Sequence, residues 1–202
     1  MKQRSRGFTL YELMITIALA AVIFGIGVPA FRDFARNGRL SGAANEMLVT
    51  LVTARNEAVS RNVRTSFCPA DSPDSDDAVC DEEATAGFIS FIDTNGDCQR
   101  DGDDEVVISS FVTHDQVSAG NNILCIGYAP STGFRIPTAG TPVNAHIIFC
   151  DHRGVGPIAG TSKFSYARGV EIVATGRAAT TRLVADLEPW AEGENPVTCP
   201  NE

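Results

Sequence analysis

Catalytic signatures are missing from this chain. It has no Gly-x-Ser-x-Gly, no His-Glu-x-x-His, no phosphate-binding loop and no dinucleotide glycine fingerprint. Histidine is scarce: His114, His146 and His152 have no second ligand at metal spacing, and no Cys-x-x-Cys occurs, so a zinc site finds no framework. Positive charge is also short. Sixteen Lys and Arg stand against 25 Asp and Glu, for a net charge of −9. Such an acidic chain repels nucleic acid and anionic lipid at long range, whatever local patches it keeps. These absences argue against an enzyme and for a structural or binding role.

What the chain has is one long apolar run. Phe8 to Phe31 holds 24 residues with neither Lys nor Arg, and about 20 helical residues cross a bilayer core of roughly 30 Å. Lys2, Arg4 and Arg6 precede the run, which keeps the N-terminus cytoplasmic and sends the rest outward. A secretory signal cut after Ala18-Leu19-Ala20 would leave a mature chain beginning with Ala21-Val22-Ile23-Phe24, an exposed apolar patch that a soluble domain avoids. Glu12 is the exception within the run. A carboxylate inside a bilayer costs on the order of 3 kcal/mol near the centre and implies a partner. The run contains no cation, but a cut between Gly7 and Phe8 would create an α-amino group about one helical turn from Glu12.

Gly7-Phe8-Thr9-Leu10-Tyr11-Glu12-Leu13, with basic residues before it and an apolar run after it, resembles the class III leader of type IV pilins and type II secretion pseudopilins. The resemblance implies that prepilin peptidase cuts after Gly7 and methylates Phe8. It implies that Glu12 pairs with the N-terminal amine of a neighbouring subunit, and that Pro29 occupies the position where such helices often carry proline. Loss of residues 1–7 would take the net charge from −9 to −12.

Beyond Phe31, apolar residues Phe34, Leu40, Ala44, Met47, Leu48, Leu51, Ala54, Ala58 and Val59 recur mainly at three- and four-residue steps. This is an amphipathic helix expected to end near Asn62, its stripe packing on the sheet that follows. Pro29 and Asn37-Gly38 are its weak points. Short β-type runs follow at Val63–Phe67, Phe88–Ile92, Val106–Val112, Ile123–Tyr128, His146–Cys150 and Val170–Ala174. The expected class is α+β, a long N-terminal helix packed on an antiparallel β-sheet ectodomain. Its parts are a basic leader (1–7), a transmembrane or filament-core helix (8–30), a periplasmic continuation of the helix (31–62) and a disulfide-stabilised β-rich domain (63–202). Six cysteines on the outward side imply disulfides. Loop length favours Cys68 with Cys80 and Cys150 with Cys199, leaving Cys98 with Cys125.

Phe149-Cys150-Asp151-His152-Arg153-Gly154, Val170-Glu171-Ile172-Val173-Ala174-Thr175-Gly176-Arg177 and the late Cys199-Pro200 are similar to the C-terminal half of the GspH/FimT group of minor pilins and pseudopilins. The implied role is that of a non-enzymatic subunit of a type IV pilus or type II secretion pseudopilus, at initiation or at the tip, assembled from the bacterial inner membrane with its ectodomain periplasmic. The alternatives are a membrane-anchored β domain without a filament and a binding module. Some members bind DNA through Gly-Arg-x-Arg; here Gly176-Arg177-Ala178-Ala179 lacks the second arginine, while Arg153, Arg168, Arg177 and Arg182 form a candidate phosphate-binding set. Asp93, Asn95, Asp97, Asp101 and Asp104 resemble the start of a calcium loop, with Cys98 at its glycine position. Turn chemistry accounts for the same residues. No other cofactor is expected.

Overall fold

The computed structural model describes residues 8–81, 84, 86–100, 107–113, 116–137, 144–191 and 199. It divides into two compact units, Met1–Gly38 and Arg39–Glu202. Helix α1 spans Leu10–Arg61 without interruption, so neither Pro29 nor Asn37-Gly38 ends it. Thr9 caps its start, with its hydroxyl accepting the Glu12 amide at 3.2 Å. Asn62, at φ 55°, takes the left-handed conformation that closes a helix C-terminus.

In the first unit the large apolar side chains of α1 are exposed from Leu10 to Phe34. In the second unit the same helix buries Leu40, Ala43, Ala44, Met47, Leu51, Ala54 and Ala58. These fill one core with residues of two antiparallel sheets. The first sheet comprises β1 (Thr65–Ala70), β2 (Gly87–Ile92), β3 (Val107–Val112), β5 (Ile126–Tyr128) and β6 (Arg135–Ile136), in the order β3-β2-β1-β5-β6. The second comprises β4 (Ser118–Asn121), β7 (Ala145–Cys150), β8 (Phe164–Ile172) and β9 (Ala178–Leu183), in the order β4-β7-β8-β9. A row of rings joins them: Phe67 stacks on Phe88 at 5.3 Å, Phe88 meets Phe111 at 6.3 Å, and Phe111 meets Phe149 of the second sheet at 5.4 Å.

The long helix on antiparallel sheets is the architecture expected from the sequence. The boundaries differ where polar residues set them. The first strand starts at Thr65, because Arg64 is drawn to Asp93, whose amide donates to the Arg64 carbonyl. β5 starts at Ile126, after a turn in which the Asn121 side chain accepts the Ile123 amide. β8 runs from Phe164 to Ile172, longer and earlier than the apolar run suggests, and ends in a tight turn at Gly176, where φ is +75° and a Cβ would lie 2.3 Å from the Gly133 carbonyl. Strands β4, β6 and β9 and the short helix α2 (Val184–Ala191) lack the apolar alternation that would announce them.

Cysteines pair as Cys68–Cys80, Cys98–Cys125 and Cys150–Cys199, with Cα separations of 5.6, 6.1 and 5.5 Å. The first ties the loop after β1 back to that strand, over a second cluster formed by Ala70, Ala78, Ile89 and Phe91. The third ties the chain after α2 to β7.

Candidate functional site

The N-terminal unit presents its chemistry on one helix. Gly7 lies outside the described residues; Phe8, Glu12 and Pro29 lie within them, and all three are exposed. Glu12 stands in the first turn of α1, where the unsatisfied amides favour an acid. Around it Leu10, Leu13, Met14, Ile17, Val22, Ile23, Phe24 and Ile26 are uncovered. A contiguous apolar surface of this extent marks a face that another phase or another chain covers. The helix is long and apolar enough to cross a membrane.

The candidate arginines divide into two groups. Along β8, residues 164, 166 and 168 share one face because strand side chains alternate. Arg168 donates from Nε to the Ser41 hydroxyl of α1 at 3.2 Å and from its terminal nitrogen to the carbonyls of Ser165, Tyr166 and Ala167. Burial, then the nearby charges of Arg182 and Arg153, pull its pKa below the ordinary value. Arg153 lies over the Tyr166 ring, 4.2 Å from its centroid, and grips Asp151 with Nε and a terminal nitrogen at 3.0 and 2.6 Å. Burial alone would raise the pKa of Asp151; the hydrogen bonds and charge of Arg153 overcome it and hold the carboxyl below its usual range. Arg182 of β9 lies over Phe164 at 4.8 Å, and Lys163, which no sequence pattern singled out, approaches the same ring at 5.6 Å. Arg177 stands apart in the β8–β9 turn, its carbonyl accepting the Val173 amide. Five residues of strand, roughly 16 Å, separate it from Arg182. The four arginines therefore do not form one set.

The acidic turn is organised from within. Asp93 is buried, 1% exposed. Its carboxylate accepts the Gly96 amide at 2.6 Å and the Ser66 hydroxyl, and Arg64 Nε lies 3.2 Å away. Asn95 and Asp97 bond to each other, with Asp97 also accepting the Gln99 amide at 2.8 Å. These are the bonds of a side-chain-stabilised turn. Asp101 and Asp104 lie outside the described residues, and among the described residues no group of three His, Cys, Asp or Glu stands ready for a metal ion.

On the far face of the second sheet, α2 lies across β7 and β8. Leu187 packs with Ile148, Cys150 and Ala167, and Trp190 stacks on His146 with centroids 4.6 Å apart. Burial lowers the His146 pKa to about 4, against a hydrogen bond to the backbone of Trp190 that works the other way. His152 belongs to no group of three candidate metal ligands among the described residues, and His114 lies outside them.

An apolar N-terminal helix carrying one acid, continued into a domain of antiparallel sheets, defines a pilin-like subunit. The model of the type II transport protein GspH matches residues 43–176, and that of the prokaryotic N-terminal methylation motif matches residues 2–28. The chain belongs to the GspH family. Its fold is similar to the crystal structure of the type IV minor pilin FimU of Pseudomonas aeruginosa, with a TM-score of 0.51 at 16% identity over 83% of this chain and 99% of that one. Among curated relatives it is 40% identical over 52 residues to prepilin peptidase-dependent protein D of Escherichia coli, covering 26% of this chain and 33% of that protein. It is 28% identical over 109 residues to the type IV major fimbrial protein FimA of Dichelobacter nodosus, covering 52% of this chain and 64% of the relative. The chain thus spans between about a third and two thirds of the length of these two relatives.

Proposed function

We propose that the protein is a minor subunit of a type IV pilus or type II secretion pseudopilus, matured between Gly7 and Phe8 by prepilin peptidase, with Phe8 methylated. It enters the filament from the inner membrane, with residues 31–202 on the periplasmic side. The observation that carries this reading is the pairing, on one exposed helix, of a continuous apolar surface with a single acid in its first turn. Lipid can cover the apolar surface but offers the acid no cation; in a filament a processed neighbour brings one to that depth, in addition to the chain's own α-amine about one turn away. The free amine of a processed neighbour supplies that cation, which gives the acid a reason to persist and gives assembly a polarity.

Mass measurement of the chain co-expressed with a prepilin peptidase tests maturation: the expected product begins at Phe8. Glu12→Ala is expected to leave membrane insertion intact and to reduce co-purification with sheared filaments. Normal incorporation of that variant would contradict the mechanism. Deletion in the source organism, scored for surface pili and for the secreted protein profile, assigns the machine: loss of pili alone indicates the pilus, and loss of secretion alone the pseudopilus.

A further inference from the structure

The net acidity of the chain is unevenly spread. Residues 71–105 hold 13 acids and one cation, whereas outside residues 1–7 and 71–105 twelve cations balance twelve acids. Within that balanced remainder Lys163, Arg168 and Arg182 gather at one end of the β8–β9 pair, and among the described residues none of the three meets a carboxylate at ion-pair distance. Arg168 is anchored to neutral oxygens, and Arg182 and Lys163 rest on Phe164. Arg153 on Tyr166 lies behind the platform, largely buried and with its charge shared with Asp151.

We infer that this cation-on-aromatic platform is a docking surface for the anionic phosphate headgroups of the membrane in which the chain is anchored. The ligand class follows from what the rings do. Both Phe164 and Tyr166 already carry cations over a face, which leaves little open ring for the base stacking that single-stranded nucleic acid uses. What remains exposed is Lys163 and Arg182 beside the edge of Phe164, with Arg168 partly covered and Arg153 largely buried behind them, a composition that suits a headgroup boundary. Ser41, to which Arg168 is bonded, follows Phe31 by ten residues of sequence. Arg32, Arg36 and Arg39 occupy that interval. A platform tethered this closely meets headgroups at high effective concentration before any soluble polyanion reaches it. Docking would hold the unassembled subunit against the membrane and release it when filament contacts take over.

The inference rests on the membrane-anchored reading of residues 8–30, so the two are tested in sequence. The full chain is reconstituted in nanodiscs of phosphatidylcholine, with or without phosphatidylglycerol, and co-elution with lipid first establishes anchoring. Amide hydrogen exchange is then followed over residues 163–168 and 180–183. Slower exchange in the anionic discs is expected, abolished by 0.5 M salt, with each engaged cation contributing on the order of fivefold to the preference. Lys163→Glu with Arg182→Glu should remove the difference while leaving Trp190 fluorescence unchanged. Equal exchange in the two discs, or a difference that survives the charge reversal, would overturn the inference. Protection by a soluble DNA oligonucleotide with none from phosphatidylglycerol would also overturn it and assign the platform to nucleic acid.

Discussion

Replacing Asp93 by alanine tests the structural role assigned to the acidic turn. The carboxylate is buried, accepts the Ser66 hydroxyl and the Gly96 amide, and is ion-paired with Arg64. Removing one partner of a buried ion pair costs about 3–5 kcal/mol. The Arg64 side chain keeps 25% of its surface exposed, so water recovers part of that loss, and about 2–4 kcal/mol remains. In thermal unfolding of the detergent-solubilised chain, at about 2–4 °C per kcal/mol for a protein of this size, the midpoint should fall by roughly 5–15 °C. Asp93→Asn keeps one acceptor for the Gly96 amide and should lose about half as much. Arg64→Met combined with Asp93→Ala should cost less than the sum of the single changes, by about 1–3 kcal/mol. A loss below about 0.5 kcal/mol for Asp93→Ala, or strict additivity, would refute the assignment. So would a calcium-induced rise in the wild-type midpoint that vanishes in Asp93→Ala, because a cation would have to take the carboxylate from Arg64.

The clamp formed by α2 yields three further expectations. A Cβ on Gly169 would lie 2.6 Å from Leu187 Cδ2 and 2.8 Å from Trp190 Cζ3, so Gly169→Ala should displace α2, lower stability by about 1–3 kcal/mol and red-shift Trp190 fluorescence. His146 titrates near its ordinary 6.5 in the unfolded chain and at about 4 in the fold. Its contribution is therefore complete above pH 6.5 and is lost progressively as the pH falls toward 4; with the ring partly exposed, the loss amounts to about 1–2 kcal/mol. His146→Phe, which keeps a ring for Trp190, should flatten the unfolding midpoint over that interval. Replacing Cys150 and Cys199 together by serine opens a 49-residue separation; it should lower stability by about 2–4 kcal/mol and make the chain after α2 cleavable by limited proteolysis.

The long helix was legible because two periodic signals agree in one element: an unbroken apolar run that lipid can cover, then a stripe that a sheet can cover. Pro29 did not end it. A proline withholds one donor and clashes one turn back, which a 52-residue helix with many other bonds can absorb. Strands rich in aromatic and β-branched residues, such as β2 and β7, were legible for the same reason as the stripe: burial dictates their composition. β4 reads Ser-Ala-Gly-Asn and β9 Ala-Ala-Thr-Thr-Arg-Leu, and nothing in either demands a sheet. Both are strands because β7 and β8 offer unpaired edges, a tertiary cause that a local window does not contain.

That distinction also explains which parts of the candidate sites could be read in advance. Gly7, Phe8 and Glu12 form a pattern that is local in sequence, within the stretch 2–28 that matches the N-terminal methylation motif. The arginines are different, because their grouping depends on strand order. Arg177 and Arg182 lie close in sequence and were grouped with Arg153 and Arg168, yet the β8–β9 turn sends Arg177 to one end and leaves Arg182 at the other. Lys163, which completes the platform, precedes a strand that begins six residues before the apolar run used to identify it. The Phe164–Leu183 pairing, reached through a register shift within β8, brings the Lys163 end of that strand beside Arg182. Since a register shift of this kind carries no compositional mark, a charged surface assembled across two such strands becomes visible only when the pairing is known.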